Sequence, residues 1–340
     1  MIVRTGGNEF QLGGVRIVVA RGFTAELDQL AGWSVALDGV VQGPGLDVDG
    51  HRFSFDHHGS CVRLVTSATC RQVMDAILLG FSPDRYTVYV NDVDADTVLA
   101  VALMAYPEWL EPDVSTAAPV RRLVEVVGGR DAHGPAYPVA EPWLLRRFTE
   151  KVRLPTGRSG TTDADMAEDL ERGVADVVAL VATLAGAMAS EPDGLADRGG
   201  DADGVAGPHG PAAAPPTAGE RLPGELSVTH TGSDWVMVTS NENALDEAYA
   251  RGFDRVVMWR RLDDGSFAYT VARRSDLVAG FPVGPASRDG TILAALAARE
   301  PGWGGGSSIG GAPRHYDGGR SALPPDEVFR IVEEVVAGAK

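Results

Sequence analysis

Short apolar runs alternate with stretches of helical periodicity along the first half of the chain. Val15–Ala20 (VRIVVA), Ser34–Leu37 and Phe53–Phe55 read as strands, and Tyr86–Val90 (YTVYV) alternates and is rich in β-branched residues, again a strand. Thr66–Leu79 places Ala68, Val73, Ala76, Ile77 and Leu79 near helical spacing, with Thr66 or Ser67 as its N-cap. Asp96–Met104 and the amphipathic run Ala164–Ala189 are further helices. Strands alternating with helices predict an α/β layer fold with a mainly parallel sheet, and in such sheets ligands sit beyond the carboxyl ends of the strands.

Residues 191–224 break this pattern: Gly, Ala and Pro dominate, and no aromatic residue occurs. Such a segment buries too little apolar surface to offset its ordering entropy, so it reads as a flexible linker in which His209 is inert. Two domains are therefore expected, over residues 1–190 and 225–340. In the second, strands are predicted at Leu226–His230, Asp234–Thr239, Arg255–Trp259 and Ser266–Val271. Helices are predicted at Asn243–Arg251, Thr291–Arg299 and Pro325–Ala337, giving a smaller α/β domain. Trp33 and Trp259 read as core residues.

Charge narrows the partners. The 340 residues include 30 basic and 47 acidic side chains, a formal net charge of −17, and only two lysines, Lys151 and Lys340. A protein that neutralises many phosphates along a nucleic acid needs clustered Lys and Arg, so long nucleic acid is excluded and a small anionic ligand stays open. No apolar run approaches the ~18 residues that span a bilayer, and the N-terminus lacks the pattern of a secretory signal. Cys61 and Cys70 are too few for a disulfide framework or a four-thiolate zinc site, which favours the reduced cytoplasm. Cys70 reads as a small buried helix residue.

The strongest chemical signal is Phe55-Asp56-His57-His58-Gly59, at the end of a strand. Carboxylate and imidazole together suit Mn, Fe, Zn or Co. A second cluster, Asp92, Asp94 and Asp96, directly follows the strand YTVYV. Three carboxylates so placed repel one another unless a cation binds them, and an N-cap role accounts for just one. The pattern also opens an EF-hand loop, but the Gly and distal Glu that such a loop needs are missing. Asp38 after SVAL, Glu26 and Asp28, and the pair Asp131 and His133 add further candidate ligands. Near the C-terminus, the glycine-rich stretch Gly302–Arg314 lets backbone amides approach an anion at Gly304, Gly305 and Gly306. Ser307 and Ser308 add hydroxyl donors there, and Arg314 can pair with a phosphate or carboxylate.

These residues together resemble the DHH phosphoesterase superfamily, whose members include exonucleases, family II inorganic pyrophosphatases and hydrolases of oligonucleotides and cyclic dinucleotides. Asp56-His57-His58 matches the name-giving motif, Asp38 resembles the family's single-aspartate second motif, and Asp92/Asp94/Asp96 fall where its fourth is expected. Gly22-Phe23-Thr24-Ala25-Glu26-Leu27-Asp28 departs from the family's first motif, with Gly in place of histidine and Glu in place of the first aspartate. The second part resembles the DHH-associated substrate-binding domain, with Ser307 where its glycine loop usually carries histidine and Arg273-Arg274-Ser275 as its arginine-serine element. The resemblance implies two domains around an active-site cleft and two divalent ions, commonly Mn, held by the first domain. The expected ligands are Asp28, Asp38, Asp56, His57, Asp92, Asp94, Asp96, Asp131 and His133, with His57 and His58 also catalytic. Arg273, Gly304, Gly305, Gly306, Ser307, Ser308 and Arg314 would hold substrate.

The expected function is a metal-dependent phosphoesterase acting on a small phosphorylated molecule or short nucleotide through a metal-activated water. Two alternatives are a metal-dependent hydrolase of a non-phosphate substrate and a ligand-binding regulatory protein on a degenerate hydrolase scaffold. The charge balance makes its own prediction. Single-stranded DNA tens of nucleotides long should show no submicromolar binding in an anisotropy titration at physiological salt. Tight, salt-sensitive binding would restore a processive nuclease.

Overall fold

A computed structural model describes residues 2–4, 6–58, 61–154, 162–190, 226–240, 244–315 and 319–339. The linker expected at 191–224 lies outside the described residues, as does Gly59. The chain gathers into two compact units, drawn largely from residues 2–190 and from 226–339.

In the first unit the elements run β1 (Ile2–Arg4), β2 (Glu9–Leu12), β3 (Val15–Val19), β4 (Ser34–Leu37), β5 (Gly45–Asp47) and β6 (Arg52–Phe55). They continue with α1 (Thr69–Leu78), β7 (Thr87–Val90), α2 (Ala95–Ala105), α3 (Ala117–His133), α4 (Pro142–Lys151) and α5 (Asp163–Ser190). The strands form one seven-stranded sheet in the order β1-β2-β3-β7-β4-β6-β5. The sheet is mixed rather than mainly parallel. Its centre, β3-β7-β4-β6, is parallel, while β1-β2, β2-β3 and β5-β6 pair antiparallel. The reason is chain length: Gly13-Gly14 joins β2 to β3 and residues 48–51 join β5 to β6. Links that short permit only antiparallel neighbours, because a parallel crossover needs a dozen or more residues.

Helix α2 is the centre of this unit. Val98 through Met104 are at most 1% exposed, so the helix has no polar face and packs on all sides. Its neighbours are α1, α3 and α5. Helix α3 was not anticipated, although Val120, Leu123, Val124 and Val127 recur at helical spacing and are all buried. Gly128 and Gly129 obscure the pattern in sequence, yet Gly128 has a packing reason. A Cβ there would lie 3.2 Å from Cys70 Sγ, so the missing side chain lets α1 and α3 approach.

The predicted cap of α1 is also corrected. The helix begins at Thr69 after Ala68, and no side chain of its own segment caps it. The carboxylate of Asp96 does so from α2, accepting from Thr69 N at 2.7 Å and Cys70 N at 2.8 Å. Trp33, expected in the core, is 42% exposed and stacks on His51 at a ring distance of 4.0 Å.

The second unit comprises β8 (Ser227–Thr231), β9 (Val236–Thr239), α6 (Leu245–Ala250), β10 (Arg255–Arg261), β11 (Phe267–Arg273), α7 (Ile292–Arg299), β12 (Gly304–Gly305), β13 (Ile309–Gly311) and α8 (Pro325–Gly338). Its six strands run in the order β12-β13-β11-β10-β9-β8, with β9 and β10 parallel and the other pairs antiparallel. One face carries Trp235, Met237, Val257, Tyr269 and Val271 under α7 and α8. The other carries Val236, Val238, Val256, Met258 and Ala272 with Leu245, Ala248 and Tyr249 of α6. Trp259 is half-buried, and its ring N–H donates to Thr229 Oγ1. No helix among the described residues is long and apolar enough to cross a membrane.

A test of α2 as the core follows. Leu103→Ala, at a fully buried position, should destabilise the protein by about 2–5 kcal/mol in urea unfolding. Leu79→Ala, at a position 89% exposed, should change it by less than about 0.5 kcal/mol. Equal effects would show that α2 does not anchor this unit.

Candidate metal centre

The parallel strands β4, β6 and β7 end at one edge of the sheet, and each delivers acidic or imidazole side chains there. Asp38 follows β4 with a left-handed φ of 51°, a conformation that aspartate tolerates better than most residues. Asp56, His57 and His58 follow β6. Extended backbone would send neighbouring side chains to opposite sides, but past the strand end the His57 and His58 rings lie 4.6 Å apart and both reach Asp38 Oδ1. Asp56 and His58 engage each other: Asp56 Oδ1 accepts the His58 amide at 3.0 Å and lies 3.0 Å from His58 Nδ1. His57 instead turns inward and is fully buried.

Around His57 the carboxylates converge from three elements or their ends. Its Nε2 lies 2.8 Å from Asp131 Oδ2 on α3, 3.5 Å from Asp38 Oδ1 and 3.9 Å from Asp96 Oδ2 on α2. His58 Nδ1 lies 3.3 Å from Asp38 Oδ1. Among the described residues, Asp38, His57 and His58 form one group able to hold a metal ion, and His57, Asp96 and Asp131 form another. Two threonines orient Asp38. Thr69 Oγ1 donates to its Oδ1 at 3.0 Å and Thr97 Oγ1 to its Oδ2 at 3.1 Å. Sequence reasoning missed both, because a threonine in the first turn of a helix carries no chemical signature of its own.

Not every expected ligand joins. Asp28 is exposed in a 3-10 turn before β4, and its backbone carbonyl, not its carboxylate, accepts from Arg52. Asp92 is exposed and its carboxylate accepts from the neighbouring Val93 amide. Asp94 is the N-cap of α2, accepting from Thr97 N at 2.8 Å. Asp56 spends its second oxygen on the Gly43 amide at 2.6 Å, so it fixes His58 and the 43 loop rather than facing His57. His133, beyond Asp131, stacks on Tyr137 at 4.4 Å. Asp96 has a structural task as well, since both its oxygens cap α1.

The charges are tightly linked. Burial opposes the His57 imidazolium, but the carboxylates of Asp131 and Asp38 outweigh it and push the group up to about 10. Burial, then Asp131 and Asp38, raises Asp96 to about 7. Burial and the charges of Asp38, Asp131 and Asp96 raise Asp94 well above the carboxylate range. Asp56 raises His58. Burial works against an ionised Asp38, yet His57 and His58 hold its carboxyl below the usual range.

The residues fit a divalent ion. Neither ring nitrogen of His57 makes a directed hydrogen bond, although Asp131 lies only 2.8 Å away. Two ligands of one octahedral ion sit side by side at about 3 Å when each bond is about 2.1 Å, and neither points at the other. A donor set of carboxylate oxygens and imidazole nitrogen suits a hard to intermediate cation.

In the second unit, Arg273 is committed to the fold. Its guanidinium donates to Ser307 O at 3.0 Å, Val278 O at 2.9 Å and Asp276 Oδ1 at 2.8 Å, and its amide donates to Ser308 O. It clamps the glycine segment instead of offering a free fork to substrate. That segment is a hairpin, with Gly304 and Gly305 in β12 and Gly306 N donating to Ile309 O. A Cβ on Gly305 would meet Gly310 Cα at 2.3 Å, so close strand approach explains that glycine. Arg314, just past β13, is exposed.

No family model matches the chain, and no curated protein or solved structure is significantly similar to it.

The linked charges predict how stability follows pH. Because the folded pKa of His57 is raised, its contribution is full below about 6.5 and is lost as pH rises through about 10. Asp96 acts in the same direction, since ionising it costs stability increasingly up to about pH 7. In chelator, melting temperature should therefore fall as pH rises over this range. Excess Mn should shrink or reverse the fall, because the cation takes the place of the protons. A flat profile in chelator would contradict the described charge network.

Proposed function

We propose that the chain is a divalent-metal-dependent hydrolase of small phosphoesters, built on a first unit akin to the DHH phosphoesterases. The observation that carries this reading is the buried His57 at the convergence of Asp38, Asp96 and Asp131, beside the Asp56–His58 pair. Mn is the ion we favour, with His57, Asp96 and Asp131 as its donor group. His58 and Asp38 offer donors for a second ion. When bound, such an ion supplies Lewis acidity toward a phosphoryl oxygen and a water acidic enough to ionise near neutral pH.

The chain's own groups do the rest. Thr69 and Thr97 hold Asp38 in one orientation. Asp56 favours the protonated form of His58, which is half exposed and so is the group able to hand a proton to a departing oxygen. Asp96 ties the start of α1 to the start of α2, keeping both threonines in register. The acidic balance of the chain, −17, favours a small substrate over a polymer.

Metal content and turnover on a panel of phosphomonoesters and short dinucleotides test this. Asp131→Asn should lower bound Mn and turnover together, each by at least about 10-fold, because it removes the carboxylate nearest His57. His58→Gln should keep at least one ion while lowering kcat by roughly 10²–10⁴-fold. A wild-type protein that binds no Mn and turns over no phosphoester would leave the ligand-binding reading in its place.

A further inference from the structure

The turn that leads from the metal centre to α1 reverses the usual burial of its side chains. Cys61 N donates to His58 O at 3.3 Å, and a single helical turn follows, in which Val65 N and Thr66 N donate to Val62 O at 2.9 and 3.0 Å. Val62, Leu64 and Val65 are exposed there, whereas Arg63 is half-buried. Sheltering a guanidinium while three apolar side chains stay in water runs against their transfer free energies, so the arrangement needs a reason. The Arg63 side chain is drawn across to α3, where Nη1 lies 3.5 Å from the backbone carbonyl of Asp131.

That contact alone does not supply one. It is at the outer limit of a hydrogen bond and uses one N–H of a fork that carries several. Among the described residues no carboxylate pairs with Arg63. Arg16, Arg52, Arg71 and Arg172 of the same unit each have an acidic partner within 3.1 Å. What Arg63 does have beside it is the metal centre. The same Asp131 whose carbonyl faces the guanidinium places its Oδ2 2.8 Å from His57 Nε2. Asp38, His57 and Asp96 are buried, while His58 and Asp131 reach solvent. The turn starts at His58 and the Arg63 side chain ends at Asp131, so this arginine spans the open side of the centre.

We infer that Arg63 grips the phosphoryl group of the substrate at the open side of the metal centre. The inference rests on the hydrolase reading for its catalytic half, and on the placement of Arg63 alone for its anion-binding half. A guanidinium fork matches two phosphoryl oxygens at once and stays charged at any working pH. A divalent ion and a guanidinium on two sides of one phosphoryl group share the charge that builds on its non-bridging oxygens. Arg63 gives up no proton: it balances that charge while the bond from phosphorus to the departing oxygen breaks and the bond to the water oxygen forms. A two-oxygen grip also favours phosphoesters over carboxylic esters and amides, whose reacting carbonyl offers a single oxygen.

The test uses the full chain, loaded with Mn and freed of excess metal, in a calorimetric titration with inorganic phosphate. Wild-type protein should bind it. Arg63→Gln should weaken that binding roughly 10-fold or more and lower kcat on phosphomonoesters by roughly 10²–10³-fold, with Mn content and melting temperature unchanged. Arg63→Lys, which keeps the charge without the fork, should recover part of both. Arg63→Ala should regain phosphate binding in millimolar guanidinium, a rescue that loss of a purely structural contact would not show. Arg121→Gln, at an exposed position of α3, controls for the loss of one positive charge and should bind like wild type. Phosphate binding that needs Arg63, in a protein that hydrolyses no phosphoester, would sink the hydrolase reading and leave the anion site standing. Wild-type phosphate affinity and turnover in Arg63→Gln, or no phosphate binding by wild-type protein, would overturn the assignment of Arg63.

Discussion

Asp96 is the interaction on which the first unit depends. Its carboxylate accepts the first two free amides of α1 while standing in the first turn of α2, so one side chain ties two helix starts together. An unsatisfied buried amide costs about 1–3 kcal/mol, and here two are satisfied by one group that carries charge. That charge is then the problem to be solved. Asp38 and Asp131 lie close by, and burial together with both of them raises Asp96 to about 7. The buried imidazole of His57 lies within 4 Å of all three, and His58 lies beside Asp38. A divalent cation resolves the repulsion more completely than a proton does, which is why the structural and chemical roles of this cluster are hard to separate.

The chemistry of the strand ends was legible because a carboxylate and two imidazoles stand together where a strand stops. Asp56 and His58 bind each other, and the His57 ring lies 4.6 Å from that of His58, so both imidazoles reach Asp38. What could not be read was the tertiary part. Asp131 reaches His57 from α3, a helix whose periodicity is interrupted by Gly128-Gly129, and its identity as a ligand depends on a contact across the unit. Asp92 and Asp94 differ from Asp96 in the bonds they make, because the turn into α2 spends one on a neighbouring amide and the other on a cap. Local propensity explains those two; only packing explains the third. The sheet shows the same division, since its parallel centre follows from strand–helix alternation, whereas β1 and β5 have three residues each and β2 carries Glu9 and Gln11 among its four.

The second unit shows how an arginine's role changes once its partners are known. Arg273 matched a substrate-contact pattern, yet its guanidinium ties Ser307 of the glycine hairpin to Val278 and Asp276, while its amide donates to Ser308. Such a residue acts by shape. Arg63 of the first unit has the reverse history. Nothing in its local sequence marks it, and its place beside Asp131 depends on a contact between its turn and α3.

Resemblance by motif and the lack of any significant match over the whole chain are compatible on physical grounds. A tripeptide at the carboxyl end of a parallel strand fixes the directions of three side chains through backbone geometry alone, whatever the rest of the sheet does. The flanking antiparallel strands, the helix lengths and the core residues are then free to vary, provided that hydrophobic volume and periodicity are kept. Three tasks hold the arrangement in this chain: turning the backbone after β4, joining α1 to α2, and orienting Asp38. Here those tasks fall to Asp38 itself at a φ of 51°, to Asp96, and to Thr69 and Thr97. Asp131 adds a carboxylate from α3, 2.8 Å from His57 Nε2, that no strand end supplies.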